Sequence, residues 1–135
     1  MADAVSLTRE WLEAARADAD VAERSLAPGP PHHALSAFHF QQSAEKLLKA
    51  FLTYHGRPFE KTHEISRLCQ RCAEVDSSFA DLIDVADRLT TYAVDMRYPG
   101  VEPPTLDDIV GARATVNEVR NLVYDRLPTE VTRGY

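Results

Sequence analysis

The stretch that decides the fold is residues 34–63, ALSAFHFQQSAEKLLKAFLTYHGRPFEKTH, in which a long helical pattern separates apolar from polar side chains. With successive residues about 100° apart, one helix face is apolar. That face contains Phe40, Ala44, Leu47, Leu48 and Phe51. A second stripe contains Phe38, Gln42, Glu45 and Lys49. The stretch therefore predicts one helix that presents both a core face and an ordered polar surface.

The residues before this stretch predict a first helix. Apolar residues repeat at steps of three and four across residues 6–27, and Ser6 is placed to cap the helix. The run PGPP at 28–31 ends it, because proline lacks a backbone donor and restricts the residue before it. The second helix then begins near residue 32 or 33 and ends at Gly56, after about 24 residues or roughly 36 Å.

Three more helices are predicted beyond Gly56, each opened by a Ser or Thr cap. The caps are, in chain order, Thr62, Ser78 with Asp81, and Thr105 with Asp108. The fourth helix runs to about Val94 and the fifth to Pro128, while residues 129–135 lack a periodic apolar pattern and are predicted to be a disordered tail. Five helices without a convincing strand predict a single all-α domain over residues 1–128, an up-and-down antiparallel four- to five-helix bundle.

Composition limits the classes of function. The formal charge of −6 disfavours DNA binding, because a surface that follows phosphates needs clustered Lys and Arg. The chain shows neither the pattern of a signal peptide nor an apolar run approaching the roughly 20 residues of a membrane-spanning helix. We therefore expect a cytoplasmic protein that does not contact membranes.

Cys69 and Cys72 form a C-x-x-C pair, a spacing that also occurs in redox motifs and zinc sites. A zinc site needs two more ligands at recognisable spacing, and a thioredoxin-like motif needs a preceding strand. Both cysteines instead continue an apolar helical pattern. We therefore predict reduced thiols in or near the core, and we expect neither a metal nor a cofactor.

Three segments carry a family resemblance: AFHFQQSAEKLLKAFLTYHG at 37–56, KTHEISRL at 61–68 and YAVDMRYPG at 92–100. In this order they resemble the HEPN family, and the resemblance covers nearly the whole chain. It implies a four- or five-helix up-and-down bundle that is often a homodimer and is frequently encoded beside a minimal nucleotidyltransferase. It also implies nucleotide binding.

Members of the wider superfamily are toxins or antiviral ribonucleases that use an Arg followed four to six residues later by a His, at the start of the last long helix. No histidine follows His63 in this chain, so the predicted last helix lacks that pair. We therefore expect a non-catalytic nucleotide-binding and protein-interaction module, paired with a minimal nucleotidyltransferase in a toxin–antitoxin-like system. The alternative is a ribonuclease toxin that uses Arg57 and His63, and RNA would be a ligand only in that case.

A nucleotide or partner site follows from the resemblance combined with side-chain chemistry. Its predicted residues are His39, Gln42, Glu45, Lys46, Lys49, His63, Tyr92, Arg97 and Tyr98. Lysine and arginine would meet phosphates, glutamine a base or ribose, and tyrosine would stack. A purely structural role stays open in two places. Glu45 and Lys49 would then form a helix-surface pair, and Arg97 would tie the adjacent Pro-Gly turn to an acidic helix end.

Overall fold

The computed structural model describes residues 3–26, 32–94, 99–100 and 102–135, and it confirms an all-α bundle. The helices are α1 (Ala4–Arg24), α2 (His33–Tyr54), α3 (Ile65–Val75), α4 (Ile83–Val94), α5 (Leu106–Arg126) and α6 (Thr129–Thr132). A 3₁₀ segment, Ser77–Leu82, joins α3 to α4. Across the described ranges no strand occurs.

Helix α2 is the central element of the bundle. It contacts α1, α3, α4 and α5, and thirteen of its 22 residues are buried, too many for one core-facing stripe. The predicted apolar face lies in the core, but the prediction of a separate polar surface is wrong. Glu45 and Lys49 are buried and Gln42 is half-buried, because neighbouring elements cover the stripe as well as the apolar face.

Two serines fix the packing of α1 against α2. The Ser36 hydroxyl donates to the carbonyl oxygen of Ala22, and the Ser43 hydroxyl donates to that of Ala15, each at 2.8 Å. The residue numbers run in opposite directions, so the two helices are antiparallel. Both serines are buried, and donation to a main-chain carbonyl satisfies hydroxyls that have no access to water.

The loop at residues 55–64 changes the direction of the chain within the bundle. Through this loop the chain runs back along α2. Helix α3 and the 3₁₀ segment after it then run parallel to α2. The contacts that show this are His63 with Glu45, Cys72 with Leu48, and Phe79 with Phe51. Helix α4 then runs antiparallel to α3, since the main-chain nitrogen of Ile65 donates to the Thr90 hydroxyl at 3.0 Å.

The helix starts agree with the predicted caps only in part. Thr105 and Asp108 form the expected capping box at the start of α5. Asp3, rather than Ser6, caps α1. Asp76 caps the 3₁₀ segment in place of Ser78. Its carboxylate accepts a hydrogen bond from the Ser78 amide and pairs with Arg126, and these two interactions, the first being the larger, hold the pKa of Asp76 below its ordinary value.

The segment at residues 129–135, predicted to be a disordered tail, is folded against the bundle. Pro128 immediately precedes the short helix α6, and Val131 of that helix is buried. The Arg9 guanidinium donates to the main-chain oxygen of Glu130 and so joins α1 to this segment. A single buried valine after a proline leaves no periodic pattern in the sequence, which is why the prediction missed it.

The two cysteines are buried and free, which confirms the prediction of core thiols. Burial raises the pKa of the Cys69 thiol to about 12 and also raises that of Cys72. Cys72 points toward α2, with its Sγ 3.7 Å from the main-chain oxygen of Leu48.

Among the helices that the structure describes, none is long and apolar enough to cross a membrane.

Candidate binding site

A buried carboxylate on α2 is the centre of the first polar network. Glu45 Oε1 lies 2.8 Å from Nδ1 of His63, and Glu45 Oε2 lies 2.9 Å from Nζ of Lys49. The Gln41 side-chain nitrogen donates to Glu45 Oε1 at 3.3 Å and to the main-chain oxygen of His63 at 3.1 Å. The carboxylate therefore joins α2 to the end of the 55–64 loop.

The exposures of the two ends of this network differ greatly. The Glu45 side chain is 5% exposed, whereas that of His63 is 60% exposed. Because Nδ1 of His63 meets the carboxylate, its Nε2 is the ring nitrogen left to interact with other groups. Glu45 thus holds an exposed imidazole in one orientation.

Lys49 lies inside the protein rather than on a ligand-facing surface. Its Nζ atom is 5.6 Å from the ring centroid of Trp11 and 5.7 Å from that of Phe59, and the two rings meet edge to face. The ammonium group is thus enclosed by Glu45 and two aromatic rings, an arrangement that compensates a buried charge. Lys49, one of the two lysines expected to meet a phosphate, is therefore engaged within the protein, and its pair with Glu45 exists but is buried.

A second carboxylate, Asp18 of α1, repeats this arrangement. Asp18 Oδ1 lies 2.8 Å from Nδ1 of His39, and its Oδ2 accepts a hydrogen bond from Nζ of Lys46. Both partners belong to α2, so the network crosses the α1–α2 interface. It brings the predicted residues His39 and Lys46 together around one buried acid.

Sequence reasoning missed Asp18 and Gln41, although a signal was present. Asp18 lies on the buried stripe of α1, which contains Thr8, Leu12, Ala15, Asp18 and Ala22. Gln41 is fully buried on α2, four residues after Ala37 and three before Ala44. A polar residue at an apolar position of a helical repeat needs a buried partner, so both residues were detectable from spacing alone.

The other predicted site residues are divided between places. Gln42 donates to Gln41 Oε1 at 2.7 Å and so extends the first network. Tyr92 lines a separate groove beside Arg88 and Asp108. Burial, and to a lesser extent the charge of Asp108, raises the pKa of the Tyr92 hydroxyl. Arg97 and Tyr98 lie outside the described residues.

Arg57 is exposed in the loop after α2. It lines a groove of about 380 Å³ whose other residues are Pro58, Phe59, Glu60, Arg71 and Glu74. Glu60 is already engaged there, since Arg71 and Arg67 hold its pKa below the ordinary value. In the part of the chain that the structure describes, neither a hydrogen bond nor an ion pair joins Arg57 to His63.

The fold and the site together define a small all-helical domain in which two buried carboxylates each join a histidine to a lysine of the central helix. A family model described as HEPN domain matches residues 8–127. The chain therefore belongs to the HEPN domain family.

Solved structures agree with this assignment. The structure of TT1696 from Thermus thermophilus is 28% identical, has a TM-score of 0.72, and covers 89% of this chain and 98% of its own. The structure of ST0689, an archaeal HEPN homologue, is 23% identical with a TM-score of 0.68, and covers 93% of this chain and 98% of its own. This second likeness supports the fold alone. A comparison with curated protein sequences found no match.

Proposed function

We propose that this HEPN protein is a non-catalytic module that binds a nucleotide and docks a separately encoded minimal nucleotidyltransferase in a toxin–antitoxin-like pair. The observation that carries the proposal is the pair of carboxylate networks, each of which holds a basic side chain at an accessible edge. His39 is 22% and Lys46 25% exposed, and His63 is more exposed still. These three side chains replace Lys49 as the phosphate contacts of the predicted site.

The chemistry of these residues suits an anionic ligand. A lysine ammonium donates to phosphate oxygens, and so does Nε2 of an imidazole that is protonated on both nitrogens, while the buried acids behind them keep the side chains in place. A non-catalytic role is favoured by the absence of any histidine after His63, because α5 then lacks the Arg and His pair of the ribonuclease members.

Calorimetric titration with AMP, ADP, ATP and GTP tests nucleotide binding. We expect one of these to bind the wild type, and Lys46→Gln and His63→Ala to weaken that binding about tenfold. Lys61→Gln is the matched control, because Lys61 is an exposed lysine outside both networks. Equal affinity for all four proteins, or no binding by the wild type, would refute the proposed site.

Docking is tested by co-expression with a nucleotidyltransferase encoded beside the gene. We expect the two proteins to copurify through size exclusion as one complex. Separate elution at micromolar concentration would refute the proposed partner while leaving the nucleotide titration to be judged independently.

A homodimer is part of the same proposal. The apolar residues spread around α2 do not support it, because that helix is covered within the chain by four other helices. The large apolar residues exposed on the described chain are the available contacts: Val5, Leu7, Val21, Leu35, Leu106 and Val110. Sedimentation at tens of micromolar should give a species of twice 15.1 kDa, and a species of 15.1 kDa alone would contradict the dimer.

A ribonuclease toxin that uses Arg57 and His63 is the second candidate function. One observation favours it: buried Glu45 orients an exposed imidazole, as the acid of a catalytic triad does. Expression would then arrest growth, and His63→Ala would relieve the arrest. Harmless expression of the wild type without cleavage of cellular RNA would eliminate this candidate.

A further inference from the structure

Two adjacent glutamines of α2 connect the interior of the bundle to the edge of the proposed nucleotide site. Gln41 is fully buried, whereas Gln42 is half-buried. His39, Gln42 and Lys46 follow one another at steps of three and four, so their side chains lie along one face of the helix. Gln42 therefore lies between two of the side chains that we assign to the phosphate.

The orientation of the Gln41 amide follows from its surroundings. Its nitrogen Nε2 lies 3.3 Å from Glu45 Oε1 and 3.1 Å from the main-chain oxygen of His63. Both oxygens are acceptors, since Glu45 is a carboxylate paired with Lys49 and a main-chain oxygen has no hydrogen to donate. Because Gln41 is fully buried, the reversed amide would place an unpaired oxygen against two others. Gln41 Oε1 is therefore directed toward Gln42.

The Gln42 amide is oriented in turn by Gln41. Gln42 Nε2 donates to Gln41 Oε1 at 2.7 Å, so the carbonyl oxygen of Gln42 points away from Gln41. A reversed Gln42 amide would bring two carbonyl oxygens together. Among the residues that the structure describes, no group donates a hydrogen bond to Gln42 Oε1. The hydrogen-bond chain that begins at buried Glu45 thus ends in an acceptor of known orientation beside His39 and Lys46.

An amide held in this orientation selects ligands by the groups that they present. A hydroxyl or amino group can donate to Gln42 Oε1, whereas a ligand carbonyl at the same place would be repelled. Adenine presents an amino donor beside a ring-nitrogen acceptor, the combination that a glutamine amide binds with two hydrogen bonds. Guanine presents two acceptors, O6 and N7, on the corresponding edge. A ribose hydroxyl supplies a donor independently of the base.

We propose that Gln42 is the specificity-determining residue of the nucleotide site, and that its oriented carbonyl oxygen accepts a hydrogen bond from a donor group of an adenine nucleotide. The donor is either the exocyclic amino group of the base or a ribose hydroxyl. Gln41 is a positioning residue, because it orients the Gln42 amide from within the bundle. This inference rests on the nucleotide binding proposed above and names the chemical group that the site recognises.

Calorimetric titration with ATP and with analogues that lack a single donor tests the assignment. Purine riboside triphosphate lacks the amino group, and 2′-deoxy-ATP and 3′-deoxy-ATP each lack one ribose hydroxyl. We expect the wild type to bind ATP and to bind one of these analogues about tenfold more weakly, because one hydrogen bond is lost. The analogue that loses affinity identifies the donor as the base amine or as a ribose hydroxyl.

Gln42→Met should remove this discrimination, since methionine has a similar length but no amide. It should weaken ATP binding about tenfold and leave the binding of the discriminated analogue unchanged. Gln70→Met is the matched control, because Gln70 is an exposed glutamine of α3 outside both networks. It should keep the affinities and the discrimination of the wild type.

Gln41→Met tests the positioning role, because it leaves Gln42 in place but removes the acceptor that orients its amide. The ratio of the ATP affinity to that of the discriminated analogue should fall toward one. A merely structural role for Gln41 would change the stability of the protein without changing this ratio. Should Gln41→Met not fold, the half-buried position of Gln42 still allows Gln42→Met to decide the assignment.

Two results would overturn the specificity role while nucleotide binding stands: equal affinity of the wild type for ATP and all three analogues, or the same discrimination in Gln42→Met as in the wild type. No binding of ATP by the wild type would also overturn it. In that case the titration with AMP, ADP and GTP shows whether the nucleotide site fails as well, so the two failures are distinguishable.

Discussion

Glu45 and Lys49 form an ion pair of 2.9 Å within one helix, yet the pair is buried rather than on the helix surface. Removing one charge leaves the other uncompensated inside the protein, at a cost of several kcal/mol. This position makes the pair a determinant of stability.

The first prediction concerns this pair. Glu45→Gln should lower the free energy of unfolding by about 3 kcal/mol, because Lys49 then keeps a buried charge without its carboxylate. Glu45→Gln with Lys49→Met should regain at least half of that loss, since no charge remains. Urea unfolding of the wild type and the variants measures both effects, and additive losses in the double variant would contradict the coupling.

The second prediction concerns the tautomer of His63. When the imidazole is neutral, its proton should reside on Nδ1, because that nitrogen faces Glu45 at 2.8 Å. Long-range ¹⁵N–¹H spectra identify the protonated nitrogen directly. His32, which is exposed and outside both networks, is the internal control and should show the mixture typical of free histidine. A protonated Nε2 in neutral His63 would contradict the described orientation.

The third prediction concerns the cysteines. Burial raises the pKa of Cys69 to about 12, so at pH 8 its thiolate fraction is about one part in ten thousand. The folded protein should therefore react very slowly with Ellman's reagent, and the urea-unfolded protein should react promptly at two thiols. Prompt reaction of either thiol in the folded protein would show that Cys69 or Cys72 is accessible.

The fourth prediction concerns pH and His55. Partial desolvation, and to a lesser extent the charge of Arg57, lowers the pKa of the largely exposed His55 in the folded protein, while the unfolded chain keeps a value of about 6.5. Above that pH the ring is neutral in both states. As the pH falls through 6.5 the unfolded state binds its proton first, so stability decreases until the folded pKa is passed.

Urea unfolding at pH 8, 6.5 and 5 should reveal this decrease, and His55→Gln should make it shallower. The ring also packs against Phe51, with 4.5 Å between centroids, so the variant should start from a somewhat lower stability at pH 8. An equal pH dependence in the wild type and the variant would exclude His55 as the source.

Sequence reasoning predicted the five main helices because each long segment repeats apolar residues at helical spacing and most have a recognisable break. It also predicted the cap at Thr105, where the whole motif lies within four residues. The environment of the site residues was harder to predict, because the burial of Glu45 and Lys49 depends on Trp11 and on the 55–64 loop, which are distant in sequence. Periodicity places a side chain on a face but does not say which element covers that face.

The folded state of residues 129–135 also could not be predicted from the sequence. Arg9, Arg16 and Arg120 hold main-chain oxygens of this segment, and such contacts leave no trace in the identity of the accepting residue. Only the donors are visible in a sequence, where they look like ordinary surface arginines.

The hydroxyls of Ser36 and Ser43 have a consequence for motion. They lie seven residues apart on α2, two helical turns, and each accepting carbonyl on α1 is likewise seven residues from the other. Sliding α1 along α2 by a single residue would break both hydrogen bonds together and leave two buried hydroxyls unsatisfied. The two serines thus fix the register of α1 on α2, and we expect these two helices to move together as one unit.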